Sequence, residues 1–206
     1  MFKGIDISKY QPDGSIDFKK LKSEGYEFVI LRAGYGKMLY QKDTAFENHY
    51  KKAKAAGLKV GAYHYTYAKT VDEAKQEADC FLTWIKGKKL DYPVAFDIED
   101  KSIQNLGRDK LTDIAYTFME KVENAGYYTM LYTNPDWLKN RLDYERLKRF
   151  DIWLACWTSE KRRDELWDKP FGIWQYGLDP KFKIDGDYAY KDYAGIIKRN
   201  NLYGGK

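Results

Sequence analysis

The chain has 206 residues, 44% of them hydrophobic, which suits one folded α/β domain with a sizeable core and excludes a disordered or fibrous protein. Its net charge of +5 is spread along Lys- and Arg-bearing helical stretches rather than clustered. With no phosphate-loop or zinc-finger spacing, this argues against nucleic acid and leaves an anionic surface as a compatible partner. The two cysteines, Cys80 in a helical stretch and Cys156 in an apolar strand, read as buried free thiols rather than a disulfide framework. The two histidines, His49 and His64, have no partner at metal-ligand spacing. No apolar stretch is long enough to span a bilayer, and residues 1–7 read as a strand, not a signal peptide.

The first strand covers residues 2–8. If Ile5 and Ile7 face outward, alternation turns Gly4, Asp6 and Ser8 inward. Asp17 caps a short helix that Gly25 ends. A unit now repeats three times: a helix, a terminating glycine (Gly25, Gly57, Gly126), then a strand beginning near residues 28, 60 and 129. That is the αβ half of a βαβ unit, and its repetition predicts parallel strands with helices outside. The second strand runs into Gly34-Tyr35-Gly36-Lys37, a loop at a strand's C-terminal end. A helix follows from Asp43 or Thr44 to Ala56, with His49 expected to be partly exposed. In the third strand Tyr63, Tyr65 and Tyr67 share one face, a polar aromatic wall if they point inward, and His64 takes the other. His64 is either a base or, more simply, a packing residue. Thr70 and Glu73 form a capping box opening the next helix, which runs to Ile85.

Tyr92-Pro93-Val94-Ala95-Phe96-Asp97-Ile98-Glu99-Asp100 is the stretch richest in chemistry. Residues 94–98 are nearly all apolar and follow a proline, as in a strand buried on both faces. Asp97 and Glu99 share a face with Cα atoms roughly 6.5–7 Å apart. Each carboxylate then perturbs the other, so that a proton can be held near neutral pH. Such pairs are the working parts of most glycosidases; the plainer reading is a solvated strand end. A helix over residues 109–124 follows, then strands near residues 152–157, 171–176 and 183–188, the last two without a helix between them. Asp185 and Asp187 share a face.

Eight strands, with helices chiefly among the first five, predict a β/α barrel whose last part is all strand. Enzymes on such barrels place their chemistry at the C-terminal ends of strands, where Asp6, Asp97, Glu99 and Asp185 are all expected to converge. Arg32 and Lys37 either temper their charge or are solvated.

These residues together resemble glycoside hydrolase family 25, the lysozymes (N-acetylmuramidases) of phage endolysins and bacterial autolysins. The resemblance rests on Gly4-Ile5-Asp6-Ile7-Ser8-Lys9-Tyr10-Gln11, Gly61-Ala62-Tyr63-His64-Tyr65, Phe96-Asp97-Ile98-Glu99, Trp174-Gln175-Tyr176 and Ile184-Asp185-Gly186-Asp187. The chain departs from the family where many members carry Lys-Ala-Thr-Glu-Gly and this one has Arg32-Ala33-Gly34-Tyr35-Gly36. It departs again at Asp187, where Asn is usual. The resemblance implies a flattened (β/α)5(β)3 barrel over residues 1–197, with 198–206 as a tail or the start of a linker. It implies cleavage of the β-1,4 bond from N-acetylmuramic acid to N-acetylglucosamine in peptidoglycan, without metal or cofactor, by a monomer acting outside the cell. Export without a signal peptide would go through a holin or lysis, or the chain is an excised domain. Glu99 would be the general acid. Asp97 would stabilise the oxocarbenium-like centre or orient the substrate's N-acetyl group, and Asp6 and Asp185 would position substrate. Tyr63, Tyr65, Tyr132, Trp174, Gln175 and Lys37 are the expected substrate-binding residues. A chitinase-like family 18 motif fails, because its two earlier acids would fall on Tyr92 and Ala95. A sugar-binding module that lost its chemistry is the alternative from another class.

Overall fold

The computed structural model describes residues 1–205. Its strands close into a barrel in chain order: β1 (Phe2–Ile7), β2 (Phe28–Tyr35), β3 (Lys59–Tyr65), β4 (Val94–Asp97), β5 (Thr129–Thr133), β6 (Asp151–Ala155), β7 (Ile173–Leu178) and β8 (Asp185–Ala189). Helices α1 (Phe18–Ser23), α2 (Phe46–Ala55), α3 (Val71–Ile85), α4 (Arg108–Asn124), α5 (Tyr144–Leu147) and α6 (Glu160–Leu166) return the chain between successive strands. A last helix, α7 (Tyr193–Asn200), follows β8. Strands β1 to β7 pair in parallel, while β8 is antiparallel to both its neighbours, β7 and β1. The reason is the connection: residues 179–184 are too short for the crossover that a parallel pair needs, so the chain can only reverse. Asp185 therefore sits at the start of its strand, not at a C-terminal end as expected. Because β8 runs backwards, its start lies at the same mouth.

Alternation along the strands divides the apolar residues into two layers. Ile5, Ile7, Val29, Leu31, Val60 and Phe96 face the helices, and Phe28, Ile30, Ala95, Met130, Trp153 and Ile173 fill the barrel. Phe28 stacks on Tyr92 with ring centroids 4.2 Å apart and closes the barrel's base. The inward-facing Gly4 makes that possible, since a Cβ there would lie 2.4 Å from the Phe28 ring.

The three helix-ending glycines have φ of +85° (Gly25), +78° (Gly57) and +91° (Gly126), the left-handed region that only glycine adopts freely. Thr70 caps α3 by accepting from Glu73 N–H at 3.1 Å, while the Glu73 carboxylate accepts from Lys69 N–H at 2.7 Å. His64 is a packing residue: it is fully buried, stacks on Trp84 and meets Glu77 through Nε2 at 3.1 Å. His49 is buried too, its ring 5.9 Å from that of Phe18, and not partly exposed, because α1 covers that face of α2. Cys80 and Cys156 are buried free thiols.

The boundary placed at residue 197 falls inside α7. Asn201, at φ +52°, turns the chain back, Leu202 N–H donates to Ile197 C=O at 3.0 Å, and Tyr203 pairs with Tyr127. Residues 202–204 thus lie against Ile197 and the Gly126-Tyr127 turn. No helix among the described residues is long and apolar enough to cross a membrane.

Candidate active site

The strand register sets the site. Tyr65 pairs with Asp97, Asp97 with Tyr132 and Tyr132 with Trp153, so these four stand at one level around the barrel wall. Across from them Gln175 pairs with Asp187, which pairs with Gly4. Above the apolar base this leaves a cleft of about 180 Å³ at the mouth, its floor and walls formed by Asp6, Asp97, Glu99, Asp185, Tyr63 and Gln175. The expected acids are therefore brought together, as are Tyr65 and Tyr132.

Gln175 is the hinge of the hydrogen-bond network. Its Oε1 accepts from Tyr132 hydroxyl at 3.0 Å and Trp157 Nε1 at 2.8 Å, which leaves Nε2 to donate to Asp6 Oδ2 at 2.8 Å. Beneath Asp6, Trp153 Nε1 donates to Asp187 Oδ1 at 2.7 Å. Burial, then the charge of Asp185, pushes Asp6 well above the usual carboxylate range against the pull of Gln175. Burial and the charge of Asp6 do the same to Asp187.

Asp97 is 4% exposed, and its Oδ1 is buried without a hydrogen-bond partner. Burial, followed by the charges of Glu99 and Asp6, raises its pKa well above 3.8, while Arg32 pulls it back. Glu99 stands just beyond β4, at the rim, only partly buried. Burial together with Asp100 and Asp185 raises its pKa above 4.5. Asp185 is raised by burial. Tyr65 hydroxyl donates to Asp100 at 2.8 Å and so fixes the loop that follows Glu99. The arrangement is chemically specific. A rim carboxyl biased toward its protonated form lines the cleft, and a second, buried carboxyl stands beside it.

Two expected ligand contacts lie elsewhere. Trp174 follows the inward Ile173 and precedes the inward Gln175, so alternation turns it to the helical layer. There its Nε1 donates to Cys156 C=O at 2.8 Å, and the Arg163 guanidinium lies 4.4 Å above its ring. Lys37 points away from the acids, with Nζ 2.6 Å from Glu73 Oε1 at the start of α3. Conversely, Tyr10, Trp153 and Arg32 line the cleft. Trp153 was hidden because its strand is apolar throughout and alternation could not choose a face. Tyr10 lies beyond β1, where no periodicity applies. Among the described residues no group of His, Cys, Asp and Glu is arranged to hold a metal ion.

A strand barrel whose mouth gathers several carboxyls among aromatic walls is an architecture that suits a glycoside hydrolase. Residues 5–183 match the model of glycosyl hydrolases family 25, and the chain belongs to that family. It is 34% identical over 202 residues to an autolytic lysozyme of Clostridium acetobutylicum, covering 98% of this chain and 53% of that one, so it spans about half of that relative. An N,O-diacetylmuramidase of Arthroderma benhamiae is 29% identical over 184 residues, 84% of this chain and 73% of the relative. The crystal structure of the CTP1L endolysin superposes with a TM-score of 0.81 at 28% identity, covering 97% of this chain and 70% of that one.

Proposed function

We propose that this barrel hydrolyses the β-1,4 bond between N-acetylmuramic acid and N-acetylglucosamine in bacterial peptidoglycan, with Glu99 as general acid and net retention. The observation that carries the reading is the pairing of a rim carboxyl biased toward its protonated form, Glu99, with the buried Asp97 and its unpartnered Oδ1. Glu99 protonates the leaving oxygen. The Asp97 carboxyl, which lines the cleft, accepts the N–H of the substrate's acetamido group and turns its carbonyl toward the anomeric carbon. Retention then runs through the substrate's own acetamido carbonyl rather than an Asp nucleophile. Asp6 and Asp185 position the sugar, and Tyr63, Tyr65, Tyr132 and Gln175 wall the cleft. The step needs neither metal nor cofactor. The domain acts as a monomer on the wall outside the membrane.

Mass spectrometry of fragments released from Gram-positive walls tests the bond. Reducing-end N-acetylmuramic acid is expected. Reducing-end N-acetylglucosamine would overturn the assignment, and binding without cleavage would leave a sugar-binding module.

A further inference from the structure

A second groove, of about 370 Å³, opens from the acid cleft and shares Tyr10, Arg32 and Tyr65 with it; Lys9, Tyr35 and Tyr67 complete its lining. Its chemistry is opposite to that of the cleft. No carboxylate lines it, and it carries two cations framed by phenol rings. The Lys9 ammonium lies 5.5 Å over the Tyr35 ring and 6.0 Å over the Tyr10 ring. The Arg32 guanidinium lies 5.1 Å from the Tyr10 ring centre and 5.9 Å from that of Tyr35. Arg32 donates through Nε to Asp43 at 2.8 Å, but its buried Nη2 has no partner. Lys9 has no ion-pair partner among the described residues. The hydroxyls of Tyr10, Tyr35 and Tyr67 also make no hydrogen bond among the described residues.

We propose that this groove receives a carboxylate-bearing branch at the lactyl position of the muramic acid whose glycan chain lies in the cleft. The inference rests on the muramidase reading above. The sugar backbone itself is uncharged, so an acid-free, cationic groove leading off its binding cleft has nothing to recognise there except a charged substituent. Lys9 and Arg32 attract the carboxylate, and the tyrosine hydroxyls and ring faces hold the amide and apolar parts of the branch. The branch is either the acidic stem peptide or, where that has been removed, the lactyl carboxylate itself.

The test measures kcat/KM of wild type, Lys9→Glu and Tyr35→Glu on three soluble glycans of equal length. One bears stem peptides, one bears stem peptides whose carboxylates are capped as amides, and one has been stripped by an amidase to the lactyl carboxylate. Each substitution is expected to lower kcat/KM on an uncapped glycan by about 5-fold, through KM and not kcat, and to leave the capped glycan within about 2-fold. Loss on the peptide-bearing glycan assigns the branch to the stem peptide, and loss confined to the stripped glycan assigns it to the lactyl carboxylate. Equal loss on the capped glycan, or no loss on any, overturns the proposal. Circular dichroism of each variant separates misfolding from lost recognition. A wild type that cleaves none of the three would instead overturn the muramidase reading.

Discussion

Asp97 shows what the site costs the fold. An acid buried without a hydrogen-bond donor is disfavoured in its charged form, so the folded chain keeps a proton that the unfolded chain gives up near 3.8. A raised pKa makes the folded state bind more protons than the unfolded one. Stability is therefore fullest below that pH and declines as pH rises toward the folded pKa. Asp97→Asn is expected to abolish wall lysis yet raise stability at pH 7 by about 1 kcal/mol, as relief of functional strain does elsewhere; thermal unfolding at pH 7 and pH 4 checks it, with the gain shrinking at pH 4. Glu99 gives a kinetic counterpart. Its pKa is raised and its protonated form is the working one, so kcat/KM is expected to fall on the alkaline side with a midpoint above 4.5. At this scale much was legible in the sequence. Period-2 alternation put Asp6, Asp97 and Glu99 on inward faces, and the structure brings them together. Trp174 was not legible: Trp-Gln-Tyr places one residue inward and two outward, and nothing in an apolar run says which. Trp174→Phe is expected to leave wall-lysis kcat/KM within about 2-fold while lowering stability by about 1 kcal/mol, from the lost hydrogen bond to Cys156.

At the scale of elements, the β7–β8 reversal is what lets Asp185 reach the mouth, and one residue pins it. Asp179 accepts from Tyr26 hydroxyl at 2.6 Å, Tyr176 hydroxyl at 2.8 Å and the N–H groups of Lys181 and Phe182 at 3.0 Å, with Lys3 Nζ 3.0 Å away. Burial pushes its pKa up, but these donors outweigh it and hold the carboxyl well below the usual range. With a depressed folded pKa the stabilisation is present above 3.8 and is lost as pH falls below it. Asp179→Ala strands two tyrosine hydroxyls and a lysine and is expected to lower stability by about 3 kcal/mol at pH 7, read by urea unfolding, with a smaller loss at pH 3. No local pattern announces this residue, because its partner Tyr26 lies 153 positions away. The β/α units were legible from their local signals, the helix-ending glycines and the Thr70 cap, and the missing helix between the last two strands was read as well. Its consequence, an antiparallel β8, is a matter of chain reversal and not of composition. Gly4→Ala tests the barrel's base: a Cβ there meets Phe28, and a destabilisation of about 2 kcal/mol is expected.

At the scale of the molecule, the barrel separates its tasks by height and by layer. The apolar base and the helical layer carry the packing, with His64 among the latter, and the mouth carries five carboxyls that this packing strains toward their protonated forms. That separation lets the acid cluster persist, since no single carboxyl must be satisfied by the core. The C-terminal segment joins the same body through α7 and the Tyr203 pairing with Tyr127, which polar, glycine-bearing composition could not foretell. The central claim is that Glu99 supplies the proton. It is tested most directly by comparing initial rates of peptidoglycan cleavage for wild type and Glu99→Gln at the wild-type optimum, with both proteins shown to be folded by circular dichroism. Glutamine keeps the shape but cannot give up a proton, and a loss on the order of 10²–10⁴-fold is expected. A folded Glu99→Gln that cleaves within about 3-fold of wild type, well short of what removing a general acid costs, would contradict the account.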